Sequence, residues 1–406
     1  MNKPFDVVVF GATGFTGRLV AEVLTARSAA GRGPAWAMAG RSAGKLAAVR
    51  QAIGAPDSLP LIEADATDPA ALAALVAQAK DVITTVGPYQ HHGEALVSAC
   101  AQAGTDYVDL CGEPLWMARM IPRLQAPARA SGARIVFSCG FDSIPFDLGV
   151  VFLQAEAQRR FGAPLTRVHG RVQRMRGGAS GGTVASLLAT LEETGRDPVA
   201  ARTMADPFAL TPGFRGPAQP DGGGAVYDTL AQSWSGPFIM AAINTKNVHR
   251  SNALRGHPWG TDFEYDERML LGEGAAGRVK AELLAGVTWL QNGLLGFGPS
   301  RRLLSRLVLP QPGQGPSQRQ REAGSYDLLF IGQTADSRML RAAVHGDRDP
   351  GYGSTSKMIV EAALCLAQDL DHSHTPGGVW TAGAAMGLAL VRRLEADAGV
   401  TFTLID

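Results

Sequence analysis

Val7-Val8-Val9-Phe10-Gly11-Ala12-Thr13-Gly14-Phe15-Thr16-Gly17-Arg18-Leu19-Val20 decides the fold. Four β-favouring apolar residues run into three glycines spaced by three, and Leu19, Val20, Val23 and Leu24 then recur at helical spacing, so the stretch reads as strand, tight turn, helix. Such a turn is a dinucleotide pyrophosphate site. Gly11 lets the chain leave the strand, Gly14 lets the backbone approach the phosphates, and Gly17 lets the helix pack on the strand. Thr13, Phe15 and Thr16 lie between them, and the N–H groups at the helix start face negative charge. The spacing is G-x-x-G-x-x-G, a variant used by NADP-dependent reductases.

Working outward, Ala35 to Ala39 reads as a second strand that ends in Gly40-Arg41-Ser42. An NAD site places an acid here for the ribose 2′-OH; Arg41 predicts NADP(H), with Lys45 one turn on. A third strand, 59–63, leads to Asp65 where adenine would sit, and Asp68 can cap a helix that begins with Pro69. The fourth strand, 82–86, ends in Gly87-Pro88-Tyr89-Gln90-His91-His92-Gly93. Ligands bind beyond the carboxyl ends of parallel strands, so Gly87 and Pro88 line the route to the nicotinamide. Two further strands end in the loops that carry Asp109 with Glu113 and Asp142 with Ser143. Tyr89, Asp109 and Glu113 are the candidates for a proton donor or for the groups that orient it. Asp109 reads equally well as a carboxylate that fixes its loop through backbone N–H bonds.

The turn GATGFTG, the AGR after the second strand, VGPYQ, TDYVDLCGE and CGFDSIPFDLG together resemble the saccharopine-dehydrogenase-like oxidoreductases, in particular the trans-acting enoyl reductases of lipid and glycolipid synthesis. The resemblance covers the N-terminal domain and extends to 346–357 and 377–404; it is weaker in the middle, where substrate would be chosen. It implies an α/β fold: a Rossmann-type doubly wound parallel sheet over 1–145, and a second α+β domain with a mixed sheet over 146–350. C-terminal helices over 351–406 would return to the first domain. It also implies an NADPH-dependent reduction of an activated C=C bond in a lipid or polyketide-derived chain. The alternatives are an amino-acid oxidoreductase like saccharopine dehydrogenase, with Arg171, Arg174 and Arg176 for carboxylates, and a non-catalytic NADP(H)-binding protein at membranes. No tyrosine has a lysine four residues later, so the acid of short-chain dehydrogenases is absent.

Composition bounds these readings. With 406 residues, 46% hydrophobic and 18% charged, the chain can build two packed domains. Lys plus Arg (38) balances Asp plus Glu (37), which leaves no electrostatic case for nucleic acid. Four cysteines without a CxxC pair, and His372-Ser373-His374 without a nearby third ligand, argue for no metal and for a reducing compartment. The first strand begins within a few residues of Met1, so a signal peptide is not expected and the cytoplasm is. Between Glu282 and Arg301 the chain carries no charge. Its glycines, Gln291 and Asn292 argue against a membrane span. The run reads as a core helix or as an apolar surface for a membrane interface or acyl chain, with Arg301, Arg302 and Arg306 suited to anionic head groups over 283–306. A homodimer is expected.

Overall fold

The computed structural model describes residues 3–177, 181–296 and 315–405. Strands β1 (Phe5–Phe10), β2 (Trp36–Gly40), β3 (Leu61–Glu63), β4 (Ala79–Thr84), β5 (Asp106–Asp109) and β6 (Arg134–Val136) alternate with α1 (Phe15–Ala29), α2 (Ala43–Ala52), α3 (Pro69–Val76), the short α4 (Tyr89–His92), α5 (Glu94–Ala103) and α6 (Pro114–Ser131). They form a parallel sheet whose order β6-β5-β4-β1-β2-β3 reverses between β1 and β4. That reversal opens the crevice where a doubly wound sheet binds its ligand. Both faces are covered: Val7 and Val9 point into one apolar layer, Val8 and Phe10 into the other.

From β6 the chain passes through α7 (Ile144–Phe161) into a second seven-stranded sheet, order β14-β12-β11-β7-β10-β9-β8. It contains β7 (Leu165–Arg176), β8 (Val226–Asp228), β9 (Ser233–Pro237), β10 (Glu264–Gly272), β11 (Ser325–Thr334), β12 (Met339–Gly346) and β14 (Val400–Ile405). Only β7 and β10 pair in parallel. The helices here are α8 (Gly181–Arg196), α9 (Pro198–Ala205), α10 (Ala241–Leu254) and α11 (Gly274–Gly296). β11 and β12 pair antiparallel as a hairpin within the mixed sheet. The sequence reading did not identify β8, β9, α10 or β10. The apolar run is helical in α11 to Gly296; its remainder and Arg301, Arg302 and Arg306 lie outside the described residues.

The end of the chain joins the two sheets. The helix Thr355–Leu364 packs against α1 and crosses β4 and β5, and β13 (Gly378–Trp380) extends the first sheet beside β6. One apolar cluster runs from Val9 and Leu24 through Met358 and Leu390 to Phe146 and Phe330, so a single core serves both sheets. Arg27 of α1 pairs with Glu361 at 2.8 Å and with Asp397. At the opposite edge, buried Arg134 donates from Nε to Asp106 at 2.9 Å and from its Nη atoms to the carbonyls of Leu366 and Leu370 at 2.7 and 3.0 Å. Neighbouring Asp81 is buried with both carboxyl oxygens unpartnered, and burial together with Asp106 pushes it well above the usual carboxylate range. Replacing Arg134→Met should therefore destabilise the protein by about 3–5 kcal/mol, because a buried carboxylate would lose its cation. Urea unfolding of the variant against wild type measures this.

Candidate active site

The glycine turn is built by steric exclusion. Gly11 has φ +87°, and a Cβ there would lie 2.5 Å from Val86 Cγ2. A Cβ on Gly17 would sit 2.1 Å from the carbonyl oxygen of Gly11. Helix α1 starts at Gly14 with no side-chain cap and no acid in its first turn, so its first N–H donors have no side-chain acceptor. This is the cradle a pyrophosphate requires, and the residues fit the group. Phe15 closes one side: its ring meets Tyr352 edge-on at 4.8 Å, and the Arg321 guanidinium lies 5.7 Å from it.

At the end of β2, Arg41 is exposed and makes no ion pair among the described residues. Asp65 accepts from the Thr67 N–H and hydroxyl, each at 2.8 Å. Those bonds, and to a lesser extent the charge of Arg41, hold its carboxyl below the usual range. Asp65 and Arg41 thus flank the same end of the crevice, near enough for their charges to interact, and Arg41 keeps its guanidinium exposed. Gly87 and Pro88, joined by a cis peptide, follow β4 at the sheet reversal beside the glycine turn.

The three candidates for proton chemistry sit together beneath this loop. Glu113 is buried and accepts from the N–H groups of Tyr89 and Gln90 at 2.8 and 2.9 Å and from the Ser186 hydroxyl at 2.7 Å. The Tyr89 hydroxyl donates to the Thr84 carbonyl at 3.3 Å and accepts from Leu110 N–H at 3.0 Å; burial pushes its phenol well up. Asp109 accepts from Cys111 N–H, Ser138 N–H and the Tyr107 hydroxyl, each at 2.9 Å, and burial raises it to about 7. Glu113 holds the loop after β4 and reaches α8, the Tyr89 hydroxyl holds the loop after β5, and Asp109 holds the loops after β5 and β6, so the trio fixes those loops relative to one another. His91 and His92 point into solvent.

A buried polar group that the sequence reading missed joins α10 and β10 to the loop after β6. Asn247 of α10 donates to Ser143 Oγ at 2.8 Å, just past the β6 loop. One turn earlier, Asn244 donates to Glu267 Oε2 at 2.9 Å, and the Tyr265 hydroxyl donates to Glu267 Oε1 at 2.9 Å. Burial pushes the Glu267 carboxyl up to about 8, against the opposing pull of these two donors. The amide oxygens of Asn244 and Asn247 are buried without a partner in the described structure. The available signal was the spacing of Asn244, Asn247 and Ser251, which puts three polar residues on one face of a helix. Arg171 is not available to a substrate carboxylate, because it is buried between Asp228 and Asp266. Arg174 and Arg176 lie in the exposed end of β7. No group of three metal-ligating side chains occurs among the described residues.

Comparison with known proteins is consistent across the chain. Residues 7–136 match the family model of the saccharopine dehydrogenase NADP-binding domain. A trans-acting enoyl reductase of Mycobacterium bovis is 40% identical over 98% of this chain and 97% of its own. One from Mycobacterium ulcerans is 39% identical over 97% and 96%. Among solved structures, saccharopine dehydrogenase (L-Glu forming) from Saccharomyces cerevisiae superposes with a TM-score of 0.53 at 14% identity, covering 98% of this chain and 99% of that one. Homospermidine synthase from Legionella pneumophila gives 0.54 at 10% identity, covering 98% and 91%. The two structures speak to the fold alone.

Glu267 has a consequence for stability. The folded chain keeps on this carboxyl a proton that the unfolded chain releases near 4.5, so stability should fall as pH rises from there through about 8. In Glu267→Gln that decline should be shallower, as urea midpoints on either side of the window would show.

Proposed function

Since the chain belongs to the saccharopine-dehydrogenase-like trans-acting enoyl reductases, we propose that it reduces the activated C=C bond of a lipid or polyketide-derived chain with NADPH. It is an NADP-dependent oxidoreductase. The observation that carries the cofactor preference is the exposed Arg41 at the end of β2, which makes no ion pair among the described residues, where a 2′-phosphate would be met by a cation.

Bound in the glycine cradle, NADPH would supply the hydride for the β carbon of an enoyl group. The α carbon must then receive a proton. Gly11, Thr13, Gly14, Phe15, Thr16 and Gly17 would hold the pyrophosphate, Arg41 and Asp65 the adenosine end, and Gly87 and Pro88 the nicotinamide side. In this reading Tyr89, Asp109 and Glu113 are positioning residues: through their hydrogen bonds to the loop backbones they set the loop that orients the ring. The proton source is Glu267, a carboxyl kept neutral by burial one helical turn of α10 from the Ser143 contact. The amino-acid oxidoreductase reading loses its clearest support with Arg171 already paired. We place the enzyme in the cytoplasm, where its four buried cysteines stay reduced. An acyl-chain substrate also favours peripheral contact of 283–306 with a membrane.

Calorimetric titration tests the cofactor assignment. NADPH should bind more tightly than NADH, and Arg41→Ala should weaken NADPH by about 1.5–3 kcal/mol while leaving NADH unchanged. Equal binding of both cofactors to both proteins overturns the assignment. For the proton source, the rate on an enoyl thioester should fall as pH rises through about 8, because a donor must be protonated. Glu267→Gln should remove that limb and lower kcat roughly 10²–10⁴-fold with NADPH affinity retained.

A further inference from the structure

Helix α11 turns an apolar face outward. Val279 is 62% exposed, Leu283 66%, Val287 51% and Leu290 54%, and these positions recur every three or four residues on one face. Trp289 borders the stripe at 78% exposure. The opposite face is occupied: Ala281 is buried, Leu284 packs over Gly236 of β9, and Arg278 lies 5.4 Å from the Trp234 ring. The outward side is therefore the one a surface helix would make polar. The charges on this part of the helix, Arg278, Lys280 and Glu282, all come before Leu283, and Arg278 pairs with Glu282.

We propose that this face lies in the interface of an anionic lipid surface, with Leu283, Val287, Leu290 and Trp289 entering the boundary between head groups and acyl chains. Two features select a membrane over a protein. Aliphatic side chains flanked by an exposed tryptophan suit an interface that is apolar on one side and wet on the other. In the sequence, the stretch from Leu283 to Gln320 carries arginines at 301, 302, 306 and 319 and no Asp or Glu, a net positive charge of the sign that acidic head groups attract. No helix among the described residues is long and apolar enough to cross a membrane, so the contact is peripheral. The choice of partner agrees with the lipid-substrate reading, but the surface argument stands without it. Such a surface would place the enzyme where a long acyl substrate is concentrated.

Sedimentation with phosphatidylglycerol vesicles, without substrate or cofactor, tests this. The full chain should co-sediment, bind phosphatidylcholine vesicles more weakly, and show a blue shift of tryptophan emission that Trp289→Phe abolishes. The triple variant Leu283→Ser, Val287→Ser, Leu290→Ser should bind roughly tenfold or more weakly while titrating NADPH as wild type does. Absence of co-sedimentation, or equal binding by the variant, overturns the proposal. Equal binding to both lipids overturns the anionic assignment. A wild-type dimer that becomes monomeric in the triple variant and ignores vesicles assigns the face to a second copy instead. Because no turnover is read, failure here is distinct from failure of the reductase reading.

Discussion

No Cβ fits between the first turn of α1 and the carbonyl of Gly11, and the rest of the molecule is arranged around that contact. A methyl group on Gly17 would lie 2.1 Å from the carbonyl oxygen, well inside any tolerable separation. The close approach presses the start of α1 onto the end of β1, which turns uncapped helix donors toward the sheet reversal. Everything else near the crevice keeps this corner in place. Thr355–Leu364 packs on α1 from one side, and Arg27 ties its far end to Glu361 and Asp397. The loops after β4, β5 and β6 are joined through Glu113, Tyr89 and Asp109 so that their backbones hold one arrangement.

The first sheet was legible because its strands β1 and β2 are largely buried on both faces and read as apolar runs ended by glycine. Gly11 to Gly17, Arg41 and the Gly87-Pro88 turn could be placed by spacing alone, since the strand ends of a doubly wound sheet fall on one edge. The second sheet was only half legible. β11 and β12 alternate cleanly, whereas β8 has three residues, and α10 carries asparagine, lysine, histidine, arginine and serine on buried faces. Its burial depends on tertiary contacts with Ser143, Glu267 and Thr381 that no local pattern encodes. For the same reason sequence could not separate Glu113, whose carboxylate is saturated by donors, from Glu267, whose carboxyl is desolvated.

The two sheets share one apolar core but divide the polar work. The parallel sheet offers backbone donors and glycines, which serve an anion of fixed shape. The mixed sheet offers buried side chains whose protonation depends on desolvation.

β13 bears on how the protein is made. It covers β6 with Gly378–Trp380, and Arg134 reaches Leu366 and Leu370. A ribosome that has released the first six strands has therefore produced a sheet with an open edge and a buried ion pair awaiting its last partners. Completion of that domain waits for more than two hundred further residues to emerge, including the whole second sheet except β14. The nascent chain must keep the β6 edge from pairing elsewhere throughout that interval.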